Sequence, residues 1–239
     1  MDKENIDYDA LKKKGFLREN EDGLFTLRTR AGAGNYTGDQ LAVLSSIAKS
    51  YGRDVVHLTV RQGAEIPFIK FKDMQIVEKA VNEAGMETGT SGPRLRATTA
   101  CPGNNWCKRG LVNTFAFFDR IEKDLGLKCG MELPHKFKIV ISGCPNTCTR
   151  AQASEIGLTG AVDVTSPDRK IGYAVYLGGC GGLSSRQGFK LDKVFSEDEA
   201  LQLIAKVVGF FKENAKPRQR LALLIEEYGK EKFLQVIGQ

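Results

Sequence analysis

Four cysteines constrain this chain more than any other feature. Cys101 and Cys107 stand in CPGNNWCKRG, and Cys144 and Cys148 in SGCPNTC, a C-x5-C pair followed by a C-x3-C pair. Each pair follows a run that reads as a strand, RLRATTA before Cys101 and KFKIVIS before Cys144. A rigid strand delivering a loop is how a scaffold fixes ligands on otherwise mobile backbone. The chain must therefore fold so that two loops distant in sequence serve one site. Four thiolates suit either zinc or an iron-sulfur cluster. Structural zinc knuckles space their cysteines roughly two to four residues apart, so the wider first gap favours a cluster and leaves zinc as the alternative.

The rest of the composition agrees with metal or redox chemistry. None of the six cysteines precedes Cys101, and the N-terminal run MDKENIDYDALKKKG has no apolar leader. The expected compartment is the cytoplasm, where thiols stay reduced and clustered cysteines point to metal binding more than to disulfides. No apolar run approaches the ~20 residues of a membrane span, so no membrane partner is expected. The net charge is +6, and residues 94–150 carry the whole excess. Those cations are interleaved with cysteines, without aromatics placed to stack bases, which argues for a bound polyanion beside a metal and against nucleic acid.

Periodicity divides the chain. FTLRTR reads as a strand; Thr37 and Gln40 make a capping box for a helix with Leu41, Leu44, Ala48 and Tyr51 on one face and Gly52 at its end. VVHLTV at 55–60 reads as a strand, and a helix from about Asp73 lines up Ile76, Val77, Ala80, Val81 and Ala84. ETGTSGP at 87–93 is the best boundary. Beyond it come the two strand-to-cysteine runs and a helix after Cys107 bearing Leu111, Phe115, Phe118, Ile121 and Leu125. Two strands, EIGLTGAVDV and IGYAVYLGG, follow, joined by a turn at SPDR. A Ser196/Glu199 capping box then opens a helix striped with Leu201, Ile204, Val208 and Phe211. The AGAGN loop lacks a full dinucleotide fingerprint. GGCGG at 178–182 permits close backbone approach to a flat cofactor or marks a plain turn. Cys129 reads as a bystander, and His57 and His135 as structural.

The cysteine pattern, together with ACPG, CKRGL, KFKIVISGCPNTC, EIGLTG, GYAVYLGG, LRTR, HLTVRQ and EIPFI, resembles the sulfite and nitrite reductase hemoprotein family, in a small, single-repeat form, from about Leu24 to the C-terminus. The resemblance implies an α+β fold: a polar lead-in over 1–23, a ferredoxin-like module over 24–90 and a 4Fe-4S/siroheme domain over 91–239. It implies a 4Fe-4S cluster on Cys101, Cys107, Cys144 and Cys148, with Cys148 also bridging to siroheme. It implies substrate contacts from Arg30, Arg96, Lys136 and Lys138, and siroheme carboxylate partners in Arg28, Arg61, Arg94, Lys108, Arg109 and Arg150. The activity implied is six-electron reduction of sulfite to sulfide, with nitrite to ammonia as neighbour. No flavin or nicotinamide fingerprint is present, so the expected electron donor is a separate ferredoxin or reductase subunit. Cys180 departs from the pattern. So does size: larger members duplicate this unit, which leads to the expectation of a two-fold homodimer whose chains complete each other's pockets, with a monomer with a more open pocket as the alternative. An iron-sulfur electron-transfer or sensor protein without siroheme, and a zinc-stabilised nucleic-acid binder, are the readings from other classes.

Overall fold

Contacts divide the chain after Gly92 into two units, which are described separately. The computed structural model describes residues 6–239, so the first five residues of the expected lead-in lie outside the described residues.

In the N-terminal unit the alternating sequence of β2 (Leu24–Arg30) sets the architecture. Period-two geometry sends Phe25, Leu27 and Thr29 to one face and Arg28 and Arg30 to the other. β2 pairs antiparallel with β1 (Phe16–Arg18) and β4 (Ala64–Lys70), and β3 (His57–Leu58) lies beyond β4 at the edge. β5 (Glu87–Thr88) pairs with the end of β2, so the first two residues of the expected linker are strand. Helices α2 (Gly38–Tyr51) and α3 (Met74–Glu83) bury Leu44, Ile47, Ala48, Val77 and Val81 in one core with Phe25, Leu27, Ile66 and Ile69. The lead-in also contains a helix, α1 (Tyr8–Lys13), capped by the Asp7 carboxylate.

Three expectations change here. The strand expected at 55–60 shortens to His57–Leu58, because the chain already turns at Thr59, whose N–H donates to Gly63 O at 2.8 Å. Val60 is consequently 94% exposed on that turn. Leu41 and Ile76 face outward, since the buried stripes run through Leu44/Ile47/Ala48 and Met74/Val77/Val81 instead. The sequence reading places no strand over β4, where Pro67 cannot donate to a ladder. A bulge absorbs the proline: Phe68 takes φ +68°, the register against β2 shifts, and the Phe68 N–H donates to Glu19 Oε1 at 2.7 Å.

The C-terminal unit is built on a five-stranded sheet in the order β10-β9-β8-β7-β6. β6 (Thr99–Ala100), β7 (Ile139–Ser142) and β8 (Ile156–Val162) are parallel; β9 (Ile171–Leu177) and β10 (Phe189–Phe195) continue antiparallel. Every β7 residue is buried, as a central strand requires. Helices α4 (Thr114–Lys123) and α5 (Glu197–Asn214), with α6 (Leu221–Tyr228) and α7 (Lys230–Ile237), supply aromatic cover. Phe117 stacks on Tyr173 with ring centres 4.3 Å apart, and Phe137 meets Phe211 at 5.0 Å.

The strands before the cysteines are shorter than their sequences suggest. Arg94 and Leu95 make only isolated bridges, and Lys136 and Lys138 precede β7. The helix after Cys107 begins only at Thr114, because the Asn113 side chain caps it by accepting from Ala116 N; Leu111 and Leu125 fall outside. Both expected capping boxes form. Among the described residues no helix is long and apolar enough to cross a membrane. Phe211 is fully buried, so Phe211→Ala should lower stability by roughly 3–5 kcal/mol, against about 1 kcal/mol for Ser196→Ala at the cap of the same helix, in urea unfolding of the full chain.

Candidate functional site

Parallel pairing decides where the thiols go. β6 and β7 run side by side with Ala100 opposite Ile141, so the loops after both strands leave from the same end of the sheet. The Gly143 N–H donates to Cys101 Sγ at 3.0 Å, and the Leu111 N–H donates to Gly143 O at 2.8 Å, tying the two cysteine loops together. A Cβ on Gly143 would stand 2.4 Å from Gly103 Cα, so only glycine permits this approach. The Thr114 hydroxyl donates to Cys101 O, anchoring the first loop to α4. The second loop turns through Thr147 and Arg150, both at positive φ, with the Arg150 N–H on Thr147 O at 2.8 Å. The Thr149 hydroxyl donates to Ile141 O at 3.2 Å, folding that loop back along β7.

Cys101 and Cys144 are half-buried; Cys107 and Cys148 are exposed. Among the described residues no three His, Cys, Asp or Glu side chains surround one point as a single-ion cage would require. The N–H directed at Cys101 Sγ is the contact a thiolate accepts, and the thiol chemistry of the two loops fits an iron-sulfur cluster. Lys108, Arg109 and Arg150 are exposed on these same loops.

The remaining candidate cations of this unit, Arg94, Arg96, Lys136 and Lys138, lie toward the other end of β7. Lys136 and Lys138 lead into the strand on either side of buried Phe137, and the Arg96 N–H donates to Phe137 O at 2.8 Å. Arg94 is buried, 3.9 Å from Glu132. His135 senses the cations gathered there. Burial, then Arg220, Lys136, Arg96 and Arg218, hold its pKa below the ordinary histidine value. Arg218 and Arg220, from the PRQR run between α5 and α6, were missed in the sequence; that run is the only signal for them. Also missed was Glu155, a fully buried carboxylate 2.6 Å from Arg220.

In the N-terminal unit Arg28 donates to Glu65 at 2.8 Å and Arg30, buried, pairs with Glu87. Arg61 sits on the Thr59–Gly63 turn. Cys180 is buried and its thiol donates to Ser184 O at 3.1 Å. The close approach in the GGCGG loop is to the chain's own backbone: a Cβ on Gly179 would lie 2.0 Å from Gln152 O.

Comparison with known proteins places this geometry. The nitrite and sulphite reductase 4Fe-4S domain matches residues 91–239, and the nitrite/sulfite reductase ferredoxin-like half domain matches residues 17–84. A coenzyme F420-dependent sulfite reductase of Methanocaldococcus jannaschii is 30% identical over 94% of this chain, which spans 44% of that relative. A nitrite reductase [NAD(P)H] of Emericella nidulans is 26% identical, and the chain spans 20% of it. An assimilatory-type sulfite reductase of Nitratidesulfovibrio vulgaris is 27% identical, with 94% of this chain and 97% of the relative covered. The fold matches the crystal structure of dissimilatory sulfite reductase I (TM-score 0.79, 16% identity, 90% of this chain and 69% of that one). It also matches Mycobacterium tuberculosis NirA (TM-score 0.81, 19% identity, 95% and 45%).

Gly143→Ala should separate the two loops; iron and acid-labile sulfide bound after anaerobic reconstitution should fall to a small fraction of the unsubstituted level. His135 resists protonation when folded, whereas the unfolded chain takes up the proton near pH 6.5. Its contribution to stability is therefore present above that pH and lost below it. His135→Gln should flatten the fall in urea midpoint between about pH 7 and pH 5 relative to the unsubstituted chain.

Proposed function

Because the chain belongs to the nitrite and sulphite reductase 4Fe-4S family, we propose that it reduces sulfite to sulfide at a siroheme joined through the Cys148 thiolate to a 4Fe-4S cluster on Cys101, Cys107, Cys144 and Cys148. The observation that carries the reading is the convergence of the two cysteine loops, with the exposed cations Lys108, Arg109 and Arg150, at one end of β6 and β7. Those cations suit the carboxylates of siroheme, as do Arg28, Arg61 and Arg94. Sulfite is preferred because a relative matched at nearly full length is a sulfite reductase; nitrite to ammonia is the second reading, supported by the nitrite reductases among the relatives.

When bound, the cofactors would relay to the oxyanion the electrons that an external donor provides. The chain's own residues then have two tasks. Each sulfite oxygen leaves as water and takes up two protons, so the pocket needs charge to hold the oxyanion and a renewable proton source. Arg30 and Arg96 keep their protons and act as clamps. Lys136 and Lys138 can give an ammonium proton and regain it from solvent. The electrons come from a separate donor, a ferredoxin or reductase subunit.

Lys138 and the cysteines occupy opposite ends of β7. At about 3.3 Å per residue, Cys144 lies on the order of 20 Å along the chain from Lys138. That separation supports a two-fold homodimer in which the lysines of one chain serve the cofactors of the other. The test uses Cys148→Ser and the Lys136→Ala/Lys138→Ala double variant. Each alone should lose sulfite reduction, the first with its siroheme absorption and the second with its spectrum intact. Co-produced in equal amounts, they should regain roughly a quarter of the activity, since half the dimers are mixed and each holds one complete site. Absence of siroheme absorption and of sulfide or ammonia production by the loaded, unsubstituted chain would reject the function. An unsubstituted chain that is active while the mixture regains nothing would reject the dimer alone.

A further inference from the structure

Glu155 is a fully buried acidic residue outside every role assigned so far. It precedes β8, and the register of β7 and β8, Ile139 opposite Ile156, places it beside Lys138. The Lys138 N–H donates to Glu155 Oε2 at 3.0 Å, and the Ile156 N–H donates to Lys138 O at 3.1 Å. A side chain thus takes the ladder position that a main-chain carbonyl would fill, and both backbone groups of Lys138 are held just before its own strand begins. The Gly178 N–H donates to Glu155 O at 3.0 Å, fixing the start of the glycine-rich loop. The Lys138 ammonium lies against that loop, 3.9 Å from where a Cβ on Gly181 would stand. Arg220 approaches Glu155 Oε1 at 2.6 Å, a charge contact without hydrogen-bond alignment.

We infer that Glu155, backed by Arg220, is a positioning residue that fixes where the Lys138 ammonium points; the inference rests on the proposed role of Lys138 toward the oxyanion. A buried carboxylate is costly, and desolvation pushes the Glu155 pKa up while Arg220 and Lys138 pull it down. An apolar residue at this position would avoid that cost. It would also leave the Lys138 N–H without an acceptor and release the lysine from its anchor. Glu155 itself touches neither substrate nor cofactor in this role; it acts through the main chain of Lys138 and through the loop beside the ammonium.

The experiment is a double-mutant cycle on the cofactor-loaded, full-length chain. Glu155→Gln and Glu155→Ala are each made alone and in the Lys138→Ala background, with siroheme and iron content as the check on folding. In the otherwise unsubstituted chain kcat for sulfite should fall roughly ten- to hundredfold, since small misplacements of a reacting group have effects of this size. The Lys138 amide should also exchange hydrogen at least about tenfold faster in Glu155→Ala. In the Lys138→Ala background neither substitution should reduce kcat further. Losses that multiply in that background, or kcat and KM within about twofold of the unsubstituted chain in both variants, would overturn the inference. If Glu155→Ala does not fold, the Glu155→Gln cycle decides. If the unsubstituted chain reduces no oxyanion, the functional reading fails by itself, and unchanged exchange at Lys138 in Glu155→Gln and Glu155→Ala would then reject the anchoring as well.

Discussion

The parallel pairing of β6 with β7 is the constraint on which the site depends. Two residues of β6 are enough, because Ala100 opposite Ile141 already puts Cys101 beside Gly143. Parallel strands end on the same side of a sheet, so two loops that start there must meet. They can meet this closely only because neither Gly103 nor Gly143 carries a side chain at the point of contact. β7 lies between β6 and β8 and is buried along its whole length, so the loops at that end leave from a packed strand.

The same strand organises the charge. Lys108, Arg109 and Arg150 are carried on the loops at its C-terminal end, where the thiols are. Arg96, Lys136 and Lys138 lie at its N-terminal end, joined there by Arg218 and Arg220, and His135 registers their combined field. The proposed cluster thiols and the proposed oxyanion cations stand at opposite ends of one strand, and the two-fold assembly proposed above would bring the two sets together from different chains. Glu155 belongs to the second group: it is the carboxylate buried among these cations, and it holds the lysine end of β7 as Gly143 holds the cysteine end.

Local chemistry made much of this legible. The C-x5-C and C-x3-C spacing named the thiols, and the capping boxes at Thr37/Gln40 and Ser196/Glu199 located two helix starts because the reciprocal hydrogen bonds need only residues three apart. Where partners are distant the sequence was a poorer guide. Nothing along the chain announces the bulge at Phe68 that lets Pro67 sit inside β4, and Leu41 and Ile76 read as core until the sheet determines which helix stripe it covers. β10 has an amphipathic run, FKLDKVF, that was passed over, and it is a strand because β9 offers it an edge.

What the order of residues settled unaided was therefore the inventory: four thiols in two Cys-Pro loops, a basic region around them, and the helices announced by their caps. Spacing and charge are properties of neighbours along the chain, so they survive without a fold. Tertiary structure alone assigned the ends of β7, drew Arg218, Arg220 and Glu155 to the lysines from remote segments, and buried Cys180 with its thiol donating to Ser184 O. Those outcomes depend on strand order and on which backbone groups are left for side chains to satisfy, and both exist only once the sheet has formed.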